Sequence, residues 1–169
     1  MSANSTLNQF LSFRIGEQKY AFSVSHIREV LLCTKITKLP KMPEYIQGII
    51  NLRGRVVPIL DLKKKFTLGE TVIGSDTGII VIEIPRQGER IDGDVFKNVG
   101  VFADSVEKVI SIDATNIEPP PQIGNATLSK YITGVGKVDD DFVIILDILC
   151  IVSAEELASI SAIDAPVPT

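Results

Sequence analysis

Apolar and polar residues alternate along much of this chain with the period of two that is typical of β-strands. Alternating runs cover residues 10–15 and 20–24, with a polar turn at 16–19 between them. The stretch 79–84, which reads IIVIEI, has apolar residues on both faces, as is typical of a buried strand. The pattern therefore predicts an all-β protein that opens with a strand, a turn and a strand.

The stretch 48–62, which reads GIINLRGRVVPILDL, predicts a β-hairpin. Two β-rich runs flank Arg53 and Gly54, and a glycine at this point allows the positive φ of a tight reversal. The second run is apolar on both faces, as in a strand between two layers. Because Pro58 has no N–H, this strand must lie at a sheet edge or carry a bulge there.

The stretches 48–61 and 134–147 share one layout. Each opens with glycine, turns through polar residues and ends in Ile-Leu-Asp. In the second stretch the turn residues are the aspartates 139–141. This repeat predicts two copies of one supersecondary unit and hence two small packed barrels. Since Asp61 and Asp147 close the two strands equivalently, each is predicted to cap the helical segment that follows it rather than to form a catalytic carboxylate pair.

Apolar residues with helical spacing occur only over short stretches of this sequence. Apolar residues at 24, 27, 30 and 31 predict a short helix, and at most one helical turn is expected at 44–47. A turn at 63–66 carries three lysines, interpreted as a solvated face because no glycine-rich phosphate loop accompanies them. Ser153 and Glu156 fit a capping box and predict a C-terminal helix. The polar stretch 85–98 is predicted to be a long loop.

Composition narrows the class of protein. The chain has 169 residues, 45% of them hydrophobic, with no apolar run of about 18 residues and no basic N-terminal leader, so we expect a cytoplasmic protein without a membrane span. One domain over 10–162 is expected, made of two small, intimately packed subdomains, between flexible ends at 1–9 and 163–169. The net charge of −4 argues against a basic nucleic-acid face. Cys33 and Cys150 are expected to be reduced, buried thiols.

Candidate chemistry is sparse. His26 is the only histidine, which excludes a multi-histidine metal site, and neither a phosphate loop nor a nucleophile elbow is present. No catalytic residue, metal site or cofactor is predicted. Arg53 allows two interpretations that sequence alone leaves equal: a solvated turn arginine, or a guanidinium on a rigid base that pairs bidentately with a carboxylate.

The motif NLRGRVVPILDL at 51–62 resembles the signature of the CheW family, the adaptors of bacterial chemotaxis signalling. The resemblance runs from Phe10 to Leu157 through FRIGEQKYAFSVSHIREV, LPKMPEYIQGIINLRG, FADSVEKVISI and YITGVGKVDDDFVIILDI. It implies two five-stranded SH3-like β-barrels packed around a shared hydrophobic core, with short helices and a C-terminal helix. The chain departs from the family in its longer polar loop at 86–98 and in Ser105, where glycine is common.

The resemblance also implies a function. CheW-like adaptors are non-catalytic and couple the cytoplasmic tip of methyl-accepting chemoreceptors to the regulatory domain of the histidine kinase CheA. The chain would then be monomeric when free and recruited to receptor arrays, with no cofactor, nucleic acid or membrane insertion. The receptor-facing positions would be Ile27, Glu29, Gly48, Asn51, Arg53 and Val109, and the kinase-facing positions stay unassigned.

Three rival functions are left open. The nearest is a CheW-like scaffold in another receptor and kinase array, such as one for motility or development. A small barrel that binds nucleic acid belongs to a different class, and the acidic composition disfavours it. An enzyme is the least favoured, because the sequence offers no catalytic constellation.

Overall fold

The structure is a computed structural model that describes residues 7–33, 35–38, 40, 44–66, 68–85, 96–119 and 131–151. Short helical turns lie at α1 (Leu62–Lys65) and α2 (Ile148–Ile151), and 3₁₀ turns at Val24–His26 and Ala114–Asn116. The strands are β1 (Leu7–Ile15), β2 (Gln18–Ser23), β3 (Ile27–Leu32), β4 (Ile46–Leu52), β5 (Arg55–Leu60), β6 (Gly78–Pro85), β7 (Phe96–Ala103), β8 (Ser105–Asp113), β9 (Ile117–Glu118), β10 (Ile132–Val138) and β11 (Asp141–Leu146).

The described strands form two sheets, which confirms the all-β prediction. The first sheet has the order β8-β1-β2-β11-β10-β9, and the second has the order β3-β6-β7-β5-β4. Neighbours are antiparallel except for β2 with β11 and β5 with β7. The first sheet has six strands rather than five because the two-residue β9 joins its edge.

The two halves of the chain exchange their first hairpins. The chain leaves the first sheet at the 3₁₀ turn Val24–His26 and returns to it at Asp104. The hairpin β1-β2 consequently pairs with β8 and β11 from the second half. The hairpin β6-β7 pairs with β3 and β5 from the first half. Each sheet is therefore incomplete without strands from both halves.

The repeat inferred from the sequence has a structural counterpart. The Asp61 N–H donates to the carbonyl of Tyr45 at 2.7 Å, and the Asp147 N–H donates to the carbonyl of Tyr131 at 2.8 Å. Both opening strands shift register immediately before their glycine, in β4 and in β10. The two hairpins are copies of one local structure, and each leads into a helical turn.

Gly48 and Gly134 are required by close packing of the backbone. A Cβ atom on Gly48 would collide with the carbonyl oxygen of Thr37, and one on Gly134 would collide with that of Glu118. Each glycine therefore lets its strand approach the neighbouring segment more closely than a side chain would permit. Both are buried.

The capping role predicted for Asp61 is confirmed. Its carboxylate is fully buried and accepts from the Lys63 N–H at 3.0 Å, at the start of α1. It also accepts from the N–H and the hydroxyl of Thr71, at 3.0 and 2.7 Å. Asp147 precedes α2 at the equivalent position and accepts from the Cys150 thiol at 3.4 Å. Asp61 thus fixes both a helical turn and the loop beyond it.

One hydrophobic core is shared by the two sheets. Its fully buried members include Phe13 and Phe22 from the first sheet and Ile80 and Leu60 from the second. Smaller satellite cores lie within each sheet. This arrangement confirms the expected shared core, because side chains of the two sheets form one buried cluster.

Pro58, which has no N–H to donate, lies just before the point where β5 begins to pair with β7. Ile49, its partner on β4, exchanges both backbone hydrogen bonds with Thr37, so Ile49 and Pro58 form a non-hydrogen-bonded pair. The nitrogen of Pro58 therefore faces β7. Pairing of β5 with β7 begins only at Ile59. The missing N–H of Pro58 therefore faces a side of β5 that is still a sheet edge at this residue.

The helix predicted from the apolar spacing at 24–31 is wrong. Only the 3₁₀ turn Val24–His26 is helical, and β3 follows it. Along β3 burial alternates, with Arg28, Val30 and Leu32 on the exposed face. Tertiary pairing with β6 overrides the local spacing. Similarly, β4 already begins at Ile46, inside the helical turn expected at 44–47.

The interpretation of the α1 lysines as a solvated face is also wrong, although the helical turn is confirmed. Lys65 is only 9% exposed, and its nitrogen lies 4.7 Å from the ring centroid of Tyr45 and 5.6 Å from that of Tyr131. Lys63 pairs with Asp104 at 3.0 Å, where the chain returns to the first sheet. Lys65 therefore contacts the two tyrosines that precede the repeat units, and Lys63 pairs with the aspartate between β7 and β8.

Other boundaries are corrected by the structure. β6 extends to Pro85 and β7 begins at Phe96, so residues 85 and 96–98 of the predicted loop belong to strands. Cys33 and Cys150 are free thiols, but Cys150 is exposed and Cys33 only half-buried. Burial raises the pKa of the Cys150 thiol, and its hydrogen bond to Asp147 adds to that rise. The capping box at Ser153 lies outside the described residues.

We expect Ile59→Asp to unfold the protein. Ile59 has no exposed surface, and its replacement would bury an unpaired carboxylate at a cost of about 3–5 kcal/mol. Ile59→Val is the matched control and should cost about 1 kcal/mol. Urea unfolding followed by circular dichroism measures both. A near-parental unfolding midpoint for Ile59→Asp would contradict this placement of β5.

The exchange of hairpins predicts that the two halves fold only together. A break between Val72 and Ile73, which are both exposed, leaves each fragment with strands whose partners lie on the other. We expect each fragment alone to give a collapsed amide NMR spectrum and their mixture to restore a dispersed one. Independent folding of either fragment would contradict the topology.

Candidate functional site

The predicted hairpin of β4 and β5 is confirmed, and it ends in a turn at Arg53 and Gly54. Both residues have positive φ, 53° and 83°, as in a type I′ turn. The side chain of Asn51 accepts from the Gly54 N–H at 2.9 Å and fixes the turn. The Arg53 side chain is 68% exposed. The turn thus presents a guanidinium from a rigid base.

Arg53 pairs bidentately with Glu29. Its Nη1 lies 2.5 Å from Oε2 of Glu29, and its Nη2 lies 3.1 Å from Oε1. This contact raises the pKa of the Arg53 guanidinium, through the hydrogen bond first and the charge second. β3 and β4 are the opposite edges of the second sheet. The pair therefore links these two edges. Of the two interpretations that the sequence left equal, the structure supports a guanidinium paired with a carboxylate, and that carboxylate belongs to the same chain.

Ile27 and Gly48 lie on the same two strands, β3 and β4, but offer little side-chain surface. Ile27 is half-buried and packs against the shared core, at the start of β3. Gly48 is buried and has no room for a side chain. Neither position offers side-chain surface comparable to that of Arg53, so their role at this edge is to position β3 and β4.

Val109 belongs to the other sheet. It lies on the edge strand β8 with 55% of its surface exposed. The structure brings Glu29, Asn51 and Arg53 together at one rim and places Val109 apart from them, on the strand of the first sheet that corresponds to β3. The six predicted positions therefore fall on two edges rather than in one cluster.

An open groove lies where these two edges approach each other. Its volume is about 430 Å³, and it is formed by the end of β3, the start of β6 with the preceding turn, and the start of β8. Val30 and Leu32 are 42% and 77% exposed there. The lining residues are Val30, Leu31, Leu32, Ser75, Asp76, Gly78, Ser105 and Val106.

The groove is the part of the site that the sequence pattern did not reveal. The helical spacing places Val30 on the buried face of a helix, whereas in β3 it points outward together with Leu32. The alternation of residues 27–32 contains the necessary signal, since Arg28, Val30 and Leu32 share one face of a strand. At the groove floor, Gly78 lies so close to Val106 that a Cβ would come within 2.8 Å of its Cγ2.

The chemistry available at this site is that of a contact surface. Within the part of the chain that the structure describes, no three His, Cys, Asp or Glu residues are grouped to hold a metal ion. The described helices are all too short to cross a membrane. A charged rim beside an exposed apolar groove is typical of a transient protein interface.

Comparison with known proteins gives a consistent result. The family model described as the CheW-like domain matches residues 9–156. The "Chemotaxis protein CheW" of Klebsiella aerogenes is 32% identical, over 92% of this chain and 89% of that protein. That of Helicobacter pylori is 34% identical, over 85% and 80%. "Protein FrzA" of Myxococcus xanthus is 32% identical, over 75% and 72%.

A solved structure is similar along nearly the same length. The crystal structure of scaffolding protein TtCheW from Thermoanaerobacter tengcongensis has a TM-score of 0.73 and 34% identity, and the match covers 88% of this chain and 90% of that one. The agreement in sequence spans both sheets, including the exchanged hairpins. The chain belongs to the CheW-like domain family.

Proposed function

We propose that this protein is a non-catalytic scaffold that couples chemoreceptors to the histidine kinase CheA in chemotaxis signalling. One observation carries the proposal: strand β3 contributes Glu29 to a bidentate pair with Arg53 and, on its other face, Val30 and Leu32 to an exposed apolar groove between the two sheets. The names of the relatives, chemotaxis and scaffolding proteins, support the same role. The protein would act in the cytoplasm, monomeric when free, and would join membrane-associated receptor arrays.

The receptor tip is proposed to bind along β3. Its helical hairpin would place aliphatic side chains against Val30 and Leu32, in the helix-in-groove mode. Glu29, Asn51 and Arg53 would form the charged rim, and Val109 would contact the partner from the facing strand β8. Ile27 and Gly48 would not contact the receptor themselves but would position strands β3 and β4.

The rim and the groove have different energetic roles. Exposed ion pairs stabilise complexes weakly, whereas desolvated apolar contacts supply most of the affinity. The Arg53 guanidinium has two nitrogens on Glu29, and it keeps most of its surface open to a second carboxylate. A receptor carboxylate at that position would fix the register of the helix and raise the association rate.

The kinase contact is proposed to lie elsewhere. The regulatory domain of CheA is itself CheW-like, so end-to-end packing of barrels is the expected mode. The residues of this chain in that contact stay unassigned. Separate surfaces for receptor and kinase would allow both partners to bind at once, as a scaffold requires.

Arg53→Ala should weaken receptor binding while the thermal unfolding midpoint stays close to that of the parent, because the side chain is exposed. Lys137→Ala is the control: Lys137 is also an exposed cation, but it lies on β10 of the first sheet rather than on β3 or the β4–β5 turn. Titration of each variant with a receptor-tip fragment measures the effect. Equal affinities for Arg53→Ala and the parent would remove Arg53 from the site.

Exchanging the charges separates a structural role from a direct one. In the double variant Glu29→Arg with Arg53→Glu, the two edges can still pair, but the exposed guanidinium is lost from the turn. We expect the double variant to fold and to bind the receptor fragment more weakly than the parent. Full recovery of binding would mean that the pair acts only by holding β3 and β4 together.

Reconstitution with a receptor fragment and CheA tests the function as a whole. We expect kinase autophosphorylation to depend on this protein and to respond to the receptor. A pull-down that recovers neither partner would refute the proposal. Recovery from cells of a different receptor and kinase pair would instead favour a scaffold of another array.

A further inference from the structure

Hydrogen bonds fix the turn that precedes β6, residues 74–77, which is called the clip here and which contributes to the lining of the groove. The Gly74 N–H donates to the hydroxyl of Thr77 at 2.8 Å, and the Thr77 N–H donates back to the Gly74 carbonyl at 3.3 Å. The Thr77 carbonyl then accepts from the Cys33 N–H at 3.0 Å, just past the end of β3. Thr77 is 3% exposed. Ser75 and Asp76, at the tip of this clip, are exposed.

The clip places a carboxylate on an apolar wall. Among the eight residues that line the groove, Asp76 is the one with a charged side chain. Its carboxylate makes no ion pair or hydrogen bond with any residue that the structure describes. Beside it, Leu32 is the most exposed side chain of β3. A carboxylate held in a fixed position next to an exposed leucine is complementary to a cation that flanks an aliphatic side chain.

We infer that Asp76 is a specificity-determining residue of this groove, and that it selects a lysine or arginine on the receptor helix that binds there. The inference rests on the proposed function, since it assigns a recognition element within the same site. On the same strand Glu29, with its Arg53 partner, lies three residues before Leu32 and on the opposite face from Val30 and Leu32. Asp76 is therefore the charged side chain that the groove itself presents to a partner.

The groove constrains the sequence of the partner. A helix that lies along β3 would need a basic residue opposite Asp76, next to aliphatic residues that contact Val30 and Leu32.

The test is titration of Asp76→Asn with a chemoreceptor-tip fragment, at ionic strengths of about 0.05 M and about 0.5 M. Asp140→Asn is the matched control, because Asp140 is also an exposed turn aspartate, at the tip of the β10-β11 hairpin. We expect Asp76→Asn to weaken binding about two- to fivefold at low salt, the size typical of an exposed ion pair. The loss should shrink at high salt, and Asp140→Asn should bind like the parent.

Charge reversal on both proteins identifies the receptor residue that pairs with Asp76. Each basic residue of the fragment is changed to glutamate in turn, and one of these changes should be rescued by Asp76→Lys and by no change at Asp140. Parental binding by Asp76→Asn at low salt, or an equal loss in Asp140→Asn, would overturn the inference and leave the proposed function standing. Failure of the parent protein itself to bind would overturn both.

Discussion

Reciprocal strand exchange is the constraint on which the rest of this fold depends. Each half of the chain gives its first hairpin to the sheet that the other half completes. One core is common to both sheets, and Lys65 of α1 lies against Tyr45 and Tyr131, the tyrosines that precede the two repeat units. No backbone ladder joins one sheet to the other, so the groove between them is held by this shared core and by the chain crossings at Val24–His26 and Asp104.

The sequence predicted what local chemistry determines. The Arg53–Gly54 turn, the strands on either side and the cap at Asp61 follow from φ preferences, alternation and side-chain hydrogen bonding within a few residues. The repeat is visible in the sequence because both copies need a glycine at the same close approach and an aspartate at the same strand end.

What the sequence could not predict depends on contacts between distant segments. β3 has helical spacing, and only its pairing with β6 makes it a strand. The burial of Lys65 requires Tyr131, which arrives from the other half. The receptor-facing positions come from resemblance alone. The structure adds that Glu29 and Arg53 pair with each other, and it reveals the groove, whose lining residues are scattered over three segments.

The two repeat units have the same turn geometry but opposite electrostatics. Asp139 and Asp140 adopt positive φ, 50° and 69°, at the positions where the other unit has Arg53 and Gly54. A duplicated backbone alone would give a binding partner two equivalent sites. Here the potential at one tip is cationic and at the other anionic, so the duplication yields a molecule with a distinguishable head and tail.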